Sequence, residues 1–176
     1  ALLPTIIFYH GWSSNKETQR MRGFILASVG YQVIIPDAIH HGERNPIDNY
    51  NMENAGKYFW DTIFNNLDES NVIIDEIILR YNADPMRIGV MGNSMGGFTA
   101  AGVFTHNSRI KVLVVLNGSC AWENSNRVFK EPFEISMTED LKALEEKIKK
   151  IDPISNLPLL KDRPILMLHG DSDTVV

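Results

Sequence analysis

Five short apolar runs, rich in β-branched residues, divide this chain at 5–9, 32–36, 87–91, 111–116 and 164–168. They are near-continuous rather than alternating, as strands covered on both faces of a parallel sheet tend to be. Helical patterns separate most of them. Residues 16–29 lie between the first two runs, and residues 95–106, rich in small side chains, follow the third. Between the second and third runs, apolar residues recur at Met52, Ala55, Phe59, Ile63, Leu67, Ile74, Ile77 and Tyr81. Steps of three and four with one gap predict a long amphipathic helix, or two helices with a break near Ser70. Pro85 is expected to stop that helix, with a strand starting at Arg87. Strands alternating with helices predict an α/β fold, a mostly parallel sheet flanked by helices.

The fourth and fifth runs are separated by a long insertion, 121–162, within one expected domain spanning 1–176. Its clearest part is "SMTEDLKALEEKIKKIDP". Ser136 and Glu139 have the spacing of a capping box. Leu141, Leu144, Ile148 and Ile151 form one stripe, and Pro153 closes the segment. This reads either as a surface helix with a charged outer face or as a short helical cap over a pocket.

Composition bounds the function classes. The net charge of −5 argues against a nucleic-acid surface, which normally carries a basic excess. No apolar run approaches the roughly 18–20 residues needed to span a membrane. A single cysteine, Cys120, excludes an internal disulfide framework and suits a reducing, cytoplasmic compartment.

The chemistry concentrates in three short stretches. The first is "GNSMGG", where Gly92, Ser94 and Gly96 match G-x-S-x-G between the third run and the helix that follows. A tight strand-to-helix turn lifts a serine hydroxyl into a cleft, and the two glycines leave room where strand, turn and helix crowd together. The helix N-terminus offers free backbone N–H groups and the positive end of its dipole. The second stretch, "FYHGW", ends the first run and so reaches the same sheet edge. Its Trp12 N–H, together with the N–H of Met95, can form an oxyanion hole. The third, "LHGDSDTVV", follows the fifth run and carries Asp171 and Asp173, either of which could orient a histidine base. By itself Asp-Ser-Asp would read as a polar turn.

Together these stretches resemble the α/β-hydrolase superfamily, in the branch of small bacterial esterases related to the prolyl-oligopeptidase and dienelactone-hydrolase groups. "NADPMRIGVMGNSMGG" is similar to that branch's nucleophile region. "VIIPDAIHHGER" is similar to the segment after its second strand, at Pro36, Asp37, His41, Gly42 and Arg44. The resemblance covers nearly the whole chain except 121–162. It implies Ser94 as nucleophile, Trp12 and Met95 N–H as oxyanion hole, and Asp173, rather than Asp171, as the acid of a catalytic triad. Ser94 stands where the dienelactone hydrolases use cysteine, which removes their particular substrates from the expectation.

The superfamily's triad runs Ser, Asp, His along the chain, and no histidine follows Asp173. His10 and His169 precede glycines at strand ends, His40 and His41 occupy one loop, and His106 lies near the far end of the nucleophile helix. All five are expected to be structural or surface residues. The expectation is therefore a serine esterase whose base, with a final strand and helix, lies in a C-terminal piece beyond Val176. The first residues likewise read as a cut N-terminus. A peptidase or an acyltransferase on the same site, or a non-catalytic binding protein of the same fold, are the alternatives. The expected partner is a small-molecule ester, and no metal or organic cofactor is implied, because there is no ligand-spaced His/Cys cluster and no dinucleotide fingerprint. Trp12, Trp122 and Phe129 could line a pocket or simply pack.

Overall fold

A computed structural model describes residues 1–131, 138–160 and 162–173. Five parallel strands form one sheet in the order β2-β1-β3-β4-β5. They are β1 (Leu3–Tyr9), β2 (Gln32–Ile34), β3 (Ala83–Asn93), β4 (Val112–Leu116) and β5 (Ile165–Leu168). Each coincides with one of the five apolar runs. The helices are α1 (Arg20–Ser28), α2 (Met52–Arg80), α3 (Met95–His106), α4 (Trp122–Lys130), α5 (Glu139–Ile151) and the single turn α6 (Leu157–Leu160). A 3-10 turn at Glu17–Gln19 opens the segment read as helix from residue 16, so its α-helical part begins only at Arg20.

Of the two forms expected for α2 the single long helix is the one found, and the expectation about its end needs correction. The helix is continuous for 29 residues. The gap in its apolar stripe falls at Ser70, which is polar yet 4% exposed; its Oγ donates to the Leu67 carbonyl, so the side chain satisfies itself inside an unbroken helix. Pro85 does not end it. The helix stops at Arg80, and Asn82 takes a left-handed φ of 55°. The strand begins at Ala83, ahead of the proline. Register jumps from Leu3↔Ala83 to Thr5↔Ile88, so Pro85 sits in an irregular stretch where its missing N–H breaks no regular ladder.

The core lies between the sheet and the pair α2 and α3. Ile7, Tyr9, Ile88, Val90, Leu113 and Val115 point from successive strands onto Ala100, Val103 and Phe104 of α3. Eleven of the twelve residues of α3 are buried, which its small and aromatic composition permits. A second aromatic cluster, with Trp60, Phe64, Phe98 and Trp122, joins α2 and α3 to the insertion. On the opposite face, Gly23 brings α1 against Val33 and Ile35 at the β2 side. Val112, Leu166 and Leu168, farther along that face, are exposed.

Within the insertion, the stripe on α5 faces inward as expected, with Ile148 buried and Leu144 and Ile151 packed beside it. Ser136 lies outside the described residues, and the cap of α5 is Thr138, whose hydroxyl accepts from the Leu141 N–H at 3.2 Å. Helix α4 is capped from a distance. Asp152, 1% exposed, accepts from the N–H groups of Trp122 (3.0 Å) and Glu123 (2.9 Å). No helix among the described residues is long and apolar enough to cross a membrane.

Candidate active site

Ser94 stands between the last residue of β3 and the first of α3, with φ 53° and ψ −122°. A non-glycine residue held at positive φ stores strain, which persists only where its surroundings fix it. Here they do. The Ser94 N–H donates to Leu116 O at 2.9 Å, tying the turn to β4. The Ser94 carbonyl accepts from the N–H groups of Gly97 (2.7 Å) and Phe98 (3.2 Å), which starts the helix. The glycines are needed for space. A Cβ on Gly92 would lie 1.8 Å from the Gly96 carbonyl oxygen, and one on Gly96 would lie 2.0 Å from that of Tyr9.

The other two stretches reach the same edge. A Cβ on Gly11 would lie 3.4 Å from the Ser94 Cβ, so the "HGW" loop runs directly beside the serine. Trp12 follows Gly11, and its side chain is clamped from the 38–50 loop. Its Nε1–H donates to Tyr50 O at 3.0 Å, and its ring meets His41 and Tyr50 edge-on at 5.0 and 5.3 Å. Tyr50 in turn donates its hydroxyl to His40 O at 2.8 Å. Met95 is the first residue of α3, where a backbone N–H has no acceptor within the helix. On the far side, the Asn117 N–H donates to Leu168 O and the Gly170 N–H to Asn117 Oδ1. Those bonds carry the Asp171–Asp173 turn to the edge that Ser94 occupies. Asp173 is the better enclosed of the two acids, and its Oδ2 lies 3.6 Å from His169 Nε2.

The histidines occupy distinct structural positions. His10 is buried; its Nε2 accepts from the Ala38 N–H at 3.0 Å, which puts the proton on Nδ1, donated to Gly11 O at 2.9 Å. Burial pushes its pKa down. His41 is fully buried, with Nδ1 2.8 Å from Ile39 O, and burial lowers its pKa to about 4. His40 pairs with Asp61 at 3.5 Å, and His106, at the far end of α3, meets Ile151 O at 2.8 Å.

Asp37, Gly42 and Arg44 are placed together by the loop after β2. The Asp37 carboxylate accepts from the N–H groups of Lys16 (2.8 Å) and Glu43 (3.1 Å), and these bonds hold it below the usual carboxylate range against the opposing effect of burial. Arg44 forks onto both carboxylate oxygens of Glu69 on α2 and reaches Asp37 O. Gly42 has φ 55°, and a Cβ there would fall 2.4 Å from the Asp37 carboxylate. The segment "PDAIHHGER" is thus a brace that fixes the loop clamping Trp12.

Sequence comparison agrees with this architecture: the pattern of the prolyl oligopeptidase family matches residues 22–176. The chain belongs to that family. Its five-stranded parallel sheet, with Ser94 on the turn after β3, is an α/β-hydrolase core. YitV of Bacillus subtilis (strain 168), provisionally named an esterase, is 32% identical over 99% of this chain and 70% of its own length. Esterase YjfP of Escherichia coli (strain K12) is 28% identical with the same coverage. Among solved structures, TT1662 from Thermus thermophilus superposes with a TM-score of 0.74 at 21% identity, over all of this chain and 69% of that one. That likeness concerns the fold alone.

Proposed function

We propose that this protein hydrolyses carboxylic esters through an acyl-enzyme on Ser94. Membership of the prolyl oligopeptidase family and two relatives named as esterases support the coarser reading, a serine hydrolase acting on ester or peptide bonds. The observation that carries Ser94 as the nucleophile is its strained turn at the sheet edge, with the Gly11–Trp12 loop alongside it. In this reading Ser94 Oγ bonds to the ester carbonyl carbon while its proton passes to an imidazole. The carbonyl oxygen, now negative, is held by the N–H groups of Trp12 and Met95. The C–O bond to the alcohol breaks, and the imidazole returns the proton to the departing oxygen. Water then repeats the sequence on the acyl-enzyme, releasing the acid and restoring Ser94. Asp173 orients the imidazole.

In this reading the imidazole comes from outside residues 1–176, a choice supported by the positions of His10, His41 and His106. Both ring nitrogens of His10 and Nδ1 of His41 are committed to the backbone, and His106 stands at the far end of α3.

Ser94→Ala in the intact protein should lower kcat on a short p-nitrophenyl ester at least about 1,000-fold, as loss of the nucleophile does elsewhere. A fluorophosphonate should label Ser94 in the unsubstituted protein. Full activity in the alanine variant would remove Ser94 from the reaction. The family's name supports a second reading, peptide cleavage at the same site. Parallel assays on ester, anilide and peptide substrates separate the two.

A further inference from the structure

We infer that Phe59 of α2, with Trp12 and Phe129, forms a binding wall beside Ser94 for a phenyl-sized apolar group of the substrate. This rests on the proposed role of Ser94. Phe59 meets rings on three segments near the serine. Its centroid lies 6.2 Å from Trp12 on the oxyanion loop, 5.5 Å from Phe98 on α3 and 5.9 Å from Phe129 on α4 of the insertion. Phe98 begins the turn of helix that starts at Ser94, since its N–H donates to the Ser94 carbonyl.

Exposure divides these rings. Phe98 is fully buried, a floor with no free surface. Trp12, Phe59 and Phe129 are each half-buried, so each keeps ring area uncovered. Phe59 meets Phe98 and Phe129 at 82°, edge against face, the preferred geometry for aromatic pairs and one that another ring can extend. Among the described residues the cation–π contacts fall elsewhere, Lys147 on Phe64 and Arg163 on Phe104, so no internal cation among them covers these rings.

The test compares methyl phenylacetate and benzyl acetate with methyl acetate, using the intact protein. The first ester puts the ring on the acyl side and the second on the alcohol side, so the pair also shows which side the wall serves. The expected result is a kcat/KM about tenfold or more higher for one ring-bearing ester, the scale of one well-packed aromatic contact. Phe59→Ala should lower kcat/KM for the favoured ring-bearing ester about tenfold more than it lowers that for methyl acetate. Phe59→Leu, which keeps apolar bulk without the ring, covers the case that the alanine variant fails to fold. Equal losses on all esters, or no loss of ring preference, would overturn the inference while Ser94 labelling by a fluorophosphonate upheld the hydrolase reading. Absence of both hydrolysis and labelling would overturn the two together.

Discussion

At the scale of single residues, three backbone positions decide whether Ser94 can be presented at all. Gly92 and Gly96 allow strand, turn and first helical turn to approach more closely than any side chain permits, and Gly11 lets the neighbouring loop pass the serine. Gly96→Ala would drive a methyl to within 2.0 Å of the Tyr9 carbonyl oxygen, which is backbone and cannot step aside. We expect a loss of about 3 kcal/mol or more, read as a lower urea midpoint with unchanged slope. Activity in the folded fraction should fall as well, because the same displacement moves the Met95 N–H. These positions were legible in the sequence because a tight strand-to-helix turn is a local object. Strand, turn and helix lie within some twenty consecutive residues, and the glycines mark where a Cβ has no room. Phe59 was not legible as a site residue. It stands on the predicted apolar stripe of α2, thirty-five positions before Ser94, and only its contacts with three other elements distinguish it from core.

At the scale of elements, the insertion depends on one buried carboxylate. Asp152 follows α5 yet caps α4, satisfying two backbone N–H groups at a helix start whose own N-cap residue, Ala121, supplies no side-chain bond. Asp152→Ala would leave those donors buried beside Trp122, at a cost of about 2 kcal/mol. Hydrogen exchange should quicken at α4 while α3 stays protected, since α3 is held by the sheet. Uniform loss of protection would mean that insertion and core unfold as one unit. A cap thirty residues away from the helix it serves cannot be read from local spacing. The same limit explains α2 and α5. The gap at Ser70 left one helix or two open in the sequence, and the start of α5 was read at Ser136 where Thr138 is the cap.

At the scale of the whole molecule, the two neutral imidazoles buried behind the Trp12 loop couple folding to pH. His41 is held at about 4 against an ordinary 6.5, chiefly by burial, and His10 is lowered for the same reason. The unfolded chain thus binds more protons than the folded one between these values. Stability present above about pH 6.5 is lost as pH falls toward 4, by roughly 3 kcal/mol from His41. Urea unfolding at pH 7, 5.5 and 4.5 should show this decline, and His41→Gln should flatten it. An unchanged slope in that variant would assign the decline to His10 instead.

The sequence by itself determined the strands, their parallel arrangement and the turn that raises Ser94, because apolar periodicity and glycine placement are consequences of local geometry. Only the tertiary structure decided what surrounds that turn. It set the Asp37 brace, the clamp on Trp12, the remote cap on α4 and the aromatic wall centred on Phe59. Each joins residues far apart in the chain, and the energy of such contacts depends on distances that folding alone creates.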